Sequence, residues 1–270
     1  MPLTYAAIMP HGDELLEIHP PQPALEELRA CLRSVGQDIR DAAPDLVVVC
    51  SPHHLRVPGH LAIADSAYLE GSLEGPLGAI RMRARTDRAA NRAIAAAASA
   101  VSLPPAVCGY ATAEQSDLSC LPLDWGSIVP LSFIAPDGPT VPIAVIGPPR
   151  DLGLSTLRRF GAALREALEP THFALVASAD LGHAHEASGP YGYDPASAVY
   201  DKAALNAVRT GDIGRLAALG DDVALAAKAD APWQLSILEG ALGATQSPRH
   251  VAYARPTYFG MLCAGFPQPR

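Results

Sequence analysis

The segment DLVVVCSPHH, residues 45–54, joins a short apolar run directly to two adjacent histidines, His53 and His54. A continuous run of strand length that is rich in branched residues is typical of a strand covered on both faces. We therefore predict a buried strand at residues 45–50 that ends in imidazoles. Similar apolar runs occur at residues 4–9, 141–147 and 172–178.

Stretches with apolar residues three and four apart separate these runs and predict helices. Glycine and proline predict loops at residues 20–23, 69–78 and 186–195. The alternation of strand and helix predicts an α/β fold, a single domain with a central mainly parallel or mixed sheet covered by helices on both faces. The predicted helices span residues 23–42, 87–101, 154–168, 195–211 and 230–244.

The composition narrows the class of protein. With 270 residues, 49% of them hydrophobic, the chain can build one large core. A net charge of −8, without a Lys/Arg cluster, argues against nucleic acid and favours a small-molecule partner. The five cysteines are scattered and form no CxxC pair, so we expect reduced thiols in a cytoplasmic protein. The start lacks a basic segment, and no apolar run approaches the roughly 18 residues that span a membrane.

Three of the predicted strands run into histidine. AAIMPHGD leads to His11, VVVCSPHH to His53 and His54, and LVASADLGHAH to His183 and His185. A single histidine at a strand end is more often a hydrogen-bonded loop residue than a ligand. If the strands are parallel, however, all of these residues share one edge of the sheet, which predicts a common polar site for a metal or a general base.

The predicted helix at residues 230–244 adds a carboxylate, Glu239, beside an apolar stripe. An inward carboxylate requires a cation or hydrogen-bond donors, whereas one at the edge of the stripe reaches water. Two histidines and one carboxylate form the ligand set of a facial triad for ferrous iron. Zinc hydrolases also use these ligands, so the ligand types alone leave the metal open.

Along its length, the sequence resembles the class III (type II) extradiol ring-cleavage dioxygenases of the LigB-like superfamily, which includes the Memo-type proteins. The resemblance implies one domain over residues 1–270. The matching elements are MPHGDE, VVVCSPHH, LDWGSIVPLSFI, VASADLGHAHEASGPYGYDP and the terminal helix with Glu239.

This resemblance implies a non-haem Fe(II) bound by His11, His53 and Glu239, with His54 as the rival for the second ligand. Dioxygen would be the co-substrate, and a catechol- or aminophenol-type ring would open beside its diol. His183 would be the acid/base residue, because an imidazole with a pKa near 6.5 can accept a substrate proton and return it.

One position departs from the family pattern. Relatives commonly have Asp-His-Gly where this chain has Asp124, Trp125 and Gly126. We expect Trp125 to form a substrate-binding wall, because an indole offers one N–H donor and no base. Proton handling would then fall to His185, His54 or Tyr193.

Nearby acids and tyrosines have possible roles as well. Asp13, Asp124 and Asp180 could each orient a histidine, and Asp124 and Asp180 could instead cap the turns that follow their strands. Tyr191 and Tyr193 belong to a predicted flap, or only pack in a turn.

Two other functions stay open at this stage. A Memo-like metal-binding or redox protein without ring-cleaving activity is favoured by Trp125. A metal-dependent hydrolase fits the ligand types but lacks an HExxH helix motif. We also expect a homo-oligomer, with a second subunit possible as in some relatives.

Overall fold

The computed structural model describes residues 2–110 and 119–269. Within these ranges no helix combines the length and apolar character needed to cross a bilayer. The strands are β1 (Leu3–Met9), β2 (Leu46–Cys50), β3 (Leu61–Ala64), β4 (Tyr68–Gly75), β5 (Gly78–Arg85), β6 (Pro105–Cys108), β7 (Cys120–Pro122), β8 (Ile143–Gly147), β9 (Phe173–Ser178), β10 (His250–Ala254) and β11 (Met261–Pro267). The α-helices are α1 (Glu26–Asp41), α2 (Arg88–Ala100), α3 (Trp125–Ile134), α4 (Leu154–Ala167), α5 (Ala196–Arg209), α6 (Asp221–Ala226) and α7 (Pro232–Leu242).

The main sheet of the described chain has eight strands in the order β10-β11-β1-β9-β2-β8-β3-β6. Its centre is parallel, since β1 and β2 both pair in parallel with β9, and β2 pairs in parallel with β8. These four central strands are the four predicted from apolar runs. The pairings of β11 with β1 and with β10, and of β3 with β8, are antiparallel, so the sheet is mixed. The predicted α/β architecture is confirmed.

Helices cover both faces of the sheet, and this explains the unbroken apolar runs. Side chains alternate between faces along a strand. In β2, Val48 belongs to the core on the face covered by α2, α4, α5 and α7, while Val47 and Val49 belong to the core under α1 and α3. Every residue of β2 is buried, so neither face tolerates polar side chains.

The prediction of a loop at residues 69–78 is wrong. This segment forms β4 and the start of β5, in a hairpin closed by the pairing of Gly75 with Gly78, and β7 completes a small second sheet. A strand explains the glycine at position 71, because a Cβ there would collide with the carbonyl oxygen of Leu123. Glycine here marks a close backbone approach within a strand.

Helices α4 and α7 touch along their backbones. A Cβ at Gly240 would collide with the carbonyl oxygen of Arg158, and a Cβ at Gly161 would collide with the carbonyl oxygen of Ile237. Glycines at both contacts allow this approach. Because the contact fixes where α7 lies, it also determines which acids of this region reach the edge of the sheet.

Candidate metal centre

Three side chains meet at the carboxyl edge of the parallel strands. The Nε2 atoms of His11 and His53 lie 3.0 Å apart. An Asp230 carboxylate oxygen, Oδ2, lies 3.4 Å from the Nε2 of His11 and 3.3 Å from the Nε2 of His53. Together they offer one ligand atom each within 4.8 Å of one another, and His11 and Asp230 are buried.

The strand order explains this convergence. His11 follows β1, His53 follows β2, and Asp180 follows β9, which lies between those two strands. The carboxyl ends of neighbouring parallel strands therefore bring residues distant in sequence to one point. Asp230 reaches the same point from the segment before α7, where its Oδ1 accepts a hydrogen bond of 3.1 Å from the Asp180 backbone N–H.

Hydrogen bonds hold the His11 ring in one orientation. The Ser178 hydroxyl donates to the carbonyl oxygen of Gly126, so its oxygen is left to accept from the Nδ1 of His11, 3.0 Å away. Nε2 is then the ring nitrogen that faces the cluster. This arrangement of a histidine whose second nitrogen is held by a neighbour is typical of metal-binding histidines.

The ionisable groups at this point shift one another's pKa values. Burial alone lowers the pKa of His11, but the carboxylates of Asp180 and Asp230 outweigh it and raise that pKa to about 9. Burial raises the pKa of Asp180 to about 7. Burial also opposes ionisation of Asp230, yet His11 and His53 hold the pKa of its carboxyl well below the usual range. The buried carboxylates therefore require a positive charge beside them.

The donor set fits a divalent transition metal. Two imidazole nitrogens and one carboxylate oxygen suit iron or zinc, and a cation at their centre would supply the positive charge that protonated His11 otherwise provides. Asp180 accepts a hydrogen bond of 3.2 Å from the His11 backbone N–H. It therefore helps to hold His11 in place without belonging to the three-residue cluster.

Glu239, the carboxylate expected from the sequence, is not part of this cluster. Its Oε1 lies 3.4 Å from a guanidinium nitrogen of Arg158, on α4. Asp230 and Glu239 are nine residues apart, and along a helix that separation corresponds to about 13 Å. The carboxylate that completes the set is Asp230, which the sequence analysis did not single out.

His54 is directed away from the cluster. Its Nε2 lies 2.9 Å from the carbonyl oxygen of Pro122, to which it donates. Burial lowers the pKa of His54. The structure therefore brings His53, and not its neighbour, to His11.

Trp125 covers His53. Their rings are stacked, with centroids 4.3 Å apart and an angle of 28° between planes, and 46% of Trp125 is exposed. Asp124, which precedes it, accepts hydrogen bonds from the hydroxyls of Ser51 and Ser127. Since the Ser51 oxygen accepts from the backbone N–H of His53, Asp124 supports the loop that carries this histidine.

His183 lines a cavity of about 510 Å³ together with His53 and Asp230. The Nδ1 of His183 donates a hydrogen bond of 2.8 Å to the carbonyl oxygen of Leu181. Its ring is stacked on Phe259, with centroids 5.3 Å apart, and Tyr191 approaches it edge-on at 5.8 Å. Burial lowers the pKa of His183, although Asp230 opposes this.

His185 and Tyr193 lie away from the cluster. The Nε2 of His185 lies 2.8 Å from a carboxylate oxygen of Asp201, which also accepts from the hydroxyl of Tyr253. Tyr193 is bridged to His185 by backbone hydrogen bonds and is 65% exposed. Of the two tyrosines in the predicted flap, Tyr191 lines the cavity.

Sequence reasoning missed Asp230, Ser178 and Arg150. One feature of the sequence pointed to Asp230. It is an acid two residues before Pro232, at the N-terminal end of a predicted helix, where polar residues are common. Ser178 is the last residue of β9, the strand that lies between the two histidine-bearing strands. Arg150 follows β8 and lines the cavity.

A family model described as the catalytic LigB subunit of aromatic ring-opening dioxygenase matches residues 5–263. The chain belongs to this family. Members of the LigB family are metal-dependent, and the matched residues include all three side chains of the cluster.

Two individual proteins are also similar to this LigB-family chain, one in sequence and one in structure. Protein CA_C1420 of Clostridium acetobutylicum is 26% identical over 192 residues, which are 70% of this chain and 41% of that protein. The crystal structure of uncharacterized protein JW3007 from Escherichia coli K12 superposes with a TM-score of 0.65, at 15% identity, over 97% of this chain and 99% of that one. The second similarity establishes the fold.

Proposed function

We propose that this LigB-family chain is a non-haem Fe(II)-dependent extradiol dioxygenase that opens a catechol- or aminophenol-type ring beside the diol. The proposal rests on the cluster of His11, His53 and Asp230 at the floor of the cavity. His53 and Asp230 both line that cavity, so ligands other than the protein can approach the cluster from that side.

Within this proposal, His11, His53 and Asp230 hold the metal and leave its cavity side for substrate and dioxygen. When bound, Fe(II) supplies the electron-rich centre at which an aromatic diol and dioxygen are activated together. The protein contributes position and charge, because three donors from separate segments converge at one point. Asp180 and Ser178 keep the His11 ring aligned.

His183 is the acid/base residue of the proposal. Its Nδ1–H is committed to the carbonyl oxygen of Leu181, so the lone pair of Nε2 is available to a ligand in the cavity. The lowered pKa keeps this ring neutral near pH 7, which suits a group that must first accept a proton from a substrate hydroxyl. Stacking on Phe259 holds the ring in place.

A second candidate, a metal-binding protein without ring-cleaving activity, is favoured by Trp125. The indole is stacked on His53 and offers a single N–H donor where a second imidazole would handle protons. Such a protein would bind the metal with the same three residues and leave aromatic diols unchanged.

The test uses protein freed of metal and reconstituted with Fe(II) without oxygen. It is mixed with catechols and aminophenols while oxygen uptake and absorbance are followed. Ring cleavage consumes one O2 per substrate with a new visible chromophore, and His53→Ala and Asp230→Ala abolish both. Tight iron binding without oxygen uptake on any ring would overturn the dioxygenase proposal in favour of the second candidate. If the Zn(II)-loaded protein changes the absorbance of a substrate without consuming oxygen, the result would indicate a hydrolase.

A further inference from the structure

We propose that Arg150 is a specificity-determining residue that binds a carboxylate substituent of the aromatic substrate. This inference rests on the proposed function. The metal held by His11, His53 and Asp230 would bind the diol, and Arg150 would bind the opposite end of the ring. The preferred substrate would then be an aromatic diol or aminophenol with a carboxylate on the ring or on a short side chain.

Arg150 is placed beside the metal cluster by the strand next to β2. It follows β8, three residues after Gly147, and its Nη2 donates a hydrogen bond of 3.0 Å to the carbonyl oxygen of Pro52. Pro52 precedes His53 directly. The guanidinium is therefore attached to the same loop as a proposed metal ligand, and both side chains line the same cavity.

A second contact holds the guanidinium in a fixed plane. Its central carbon lies 5.0 Å from the ring centroid of Trp233, within cation–π range. One hydrogen bond and one aromatic face restrict the side chain without using its whole donor set, because a guanidinium carries five N–H groups. The remaining donors are organised in advance for a planar, bidentate acceptor such as a carboxylate.

Arg150 forms no ion pair across residues 2–110 and 119–269, unlike Arg158, which faces Glu239. Burial of a cation that forms no direct ion pair is unfavourable, and an anionic ligand in the cavity would offset it. Burial lowers the pKa of Arg150, the carboxylate of Asp230 opposes this, and the positive charge of Arg56 acts in the same direction as burial. An anionic ligand would relieve both effects.

The other charges of the cavity leave this role to Arg150. Asp230 at the floor belongs to the metal cluster. Asp221, Asp222 and Lys228 also line the cavity, but they are exposed, so water and salt screen them. Glu239 lines the cavity as well, but its carboxylate faces the guanidinium of Arg158. Arg150 is therefore the cation of this cavity that combines partial burial with fixed orientation.

The experiment compares two ligands that differ only in the carboxylate, 3,4-dihydroxybenzoate and 4-methylcatechol. Their dissociation constants are measured without oxygen on the Fe(II)-loaded wild type, Arg150→Gln and the control Arg159→Gln. Arg159 is exposed on α4 and donates to Thr156, away from this cavity. Glutamine keeps an N–H donor and an unbranched side chain at position 150, which favours an intact loop.

We expect Arg150→Gln to weaken 3,4-dihydroxybenzoate about 30-fold, or about 2 kcal/mol at 1.4 kcal/mol per tenfold, and 4-methylcatechol less than twofold. The control should change neither. Equal weakening of both ligands, or no change in either, would overturn the inference. The binding result stands apart from catalysis, because a failure of the proposed function appears as absent oxygen uptake with both diols, whatever Arg150 does to their affinities.

Discussion

The Nε2 atoms of His11 and His53 lie 3.0 Å apart although 42 positions separate the two residues in the sequence. Neighbouring parallel strands place them there, with β9 between β1 and β2. Two imidazoles directed at each other across so short a distance need a shared proton or a shared cation. Asp230 completes the arrangement, and the following predictions test it.

The metal should depend on Asp230 and not on Glu239. We expect Asp230→Asn to lower the affinity for Fe(II) or Zn(II) at least about a hundredfold, because the buried anionic ligand is lost. Glu239→Gln should leave the affinity within twofold, since that side chain faces Arg158. Chelator competition measures both, with circular dichroism to verify folding. A loss of metal in Glu239→Gln instead would contradict the assignment.

Metal affinity should rise with pH. The pKa of His11 is raised to about 9, so below that pH a cation must displace the His11 proton. For one displaced proton the apparent association constant should increase about tenfold per pH unit and level off above about pH 9. Chelator competition between pH 6 and 9.5 tests this. Asp180→Asn removes one cause of the raised pKa, so its plateau should begin at lower pH, and a flat wild-type profile would refute the coupling.

Metal binding should be visible in Trp125 fluorescence. The chain has two tryptophans, and Trp125 is the one stacked on His53. A cation bound at the Nε2 of His53 should change the emission of this indole. Titration with Zn(II) should therefore give a signal in the wild type and in Trp233→Phe but none in Trp125→Phe. The reverse pattern would place the metal elsewhere.

The two histidines after β9 should behave differently. His183→Asn should keep the metal and lower kcat by about 10² to 10⁴, the range for loss of an acid/base residue. His185→Asn should instead lower the free energy of unfolding by about 1–3 kcal/mol, because it disturbs a buried hydrogen bond to Asp201. Steady-state kinetics and urea unfolding separate the two effects. Loss of kcat in His185→Asn at unchanged stability would contradict this division.

Local patterns were sufficient for the framework of the fold. The four apolar runs correspond to β1, β2, β8 and β9, and their continuous burial follows from helices on both faces. The carboxyl ends of parallel strands meet at one edge of a sheet, so the sequence alone assigns His11 and His53 to the same edge. The hairpin of β4 and β5 was missed, because its glycines serve a close backbone approach that only the folded chain reveals.

The identity of the carboxylate depended on packing between distant segments. In the sequence, Glu239 and Asp230 are both acids of the predicted helix at residues 230–244. Helix geometry alone does not say which end of that helix lies at the edge of the sheet. The backbone contact at Gly161 and Gly240 settles this, because it sets α7 against α4 and leaves Glu239 beside Arg158. The segment before α7 then lies against β9, and Asp230 reaches the histidines.

The directions of the His53 and His54 side chains also could not be predicted from neighbouring residues. His53 and His54 are adjacent and chemically identical, and a hydrogen bond to the carbonyl oxygen of Pro122, 68 positions away, directs His54 away from the cluster. Strand periodicity is a local consequence of backbone geometry and is therefore readable from neighbouring residues. Which partner a polar side chain meets is decided by groups far along the chain, so it appears only once the tertiary structure has brought them together.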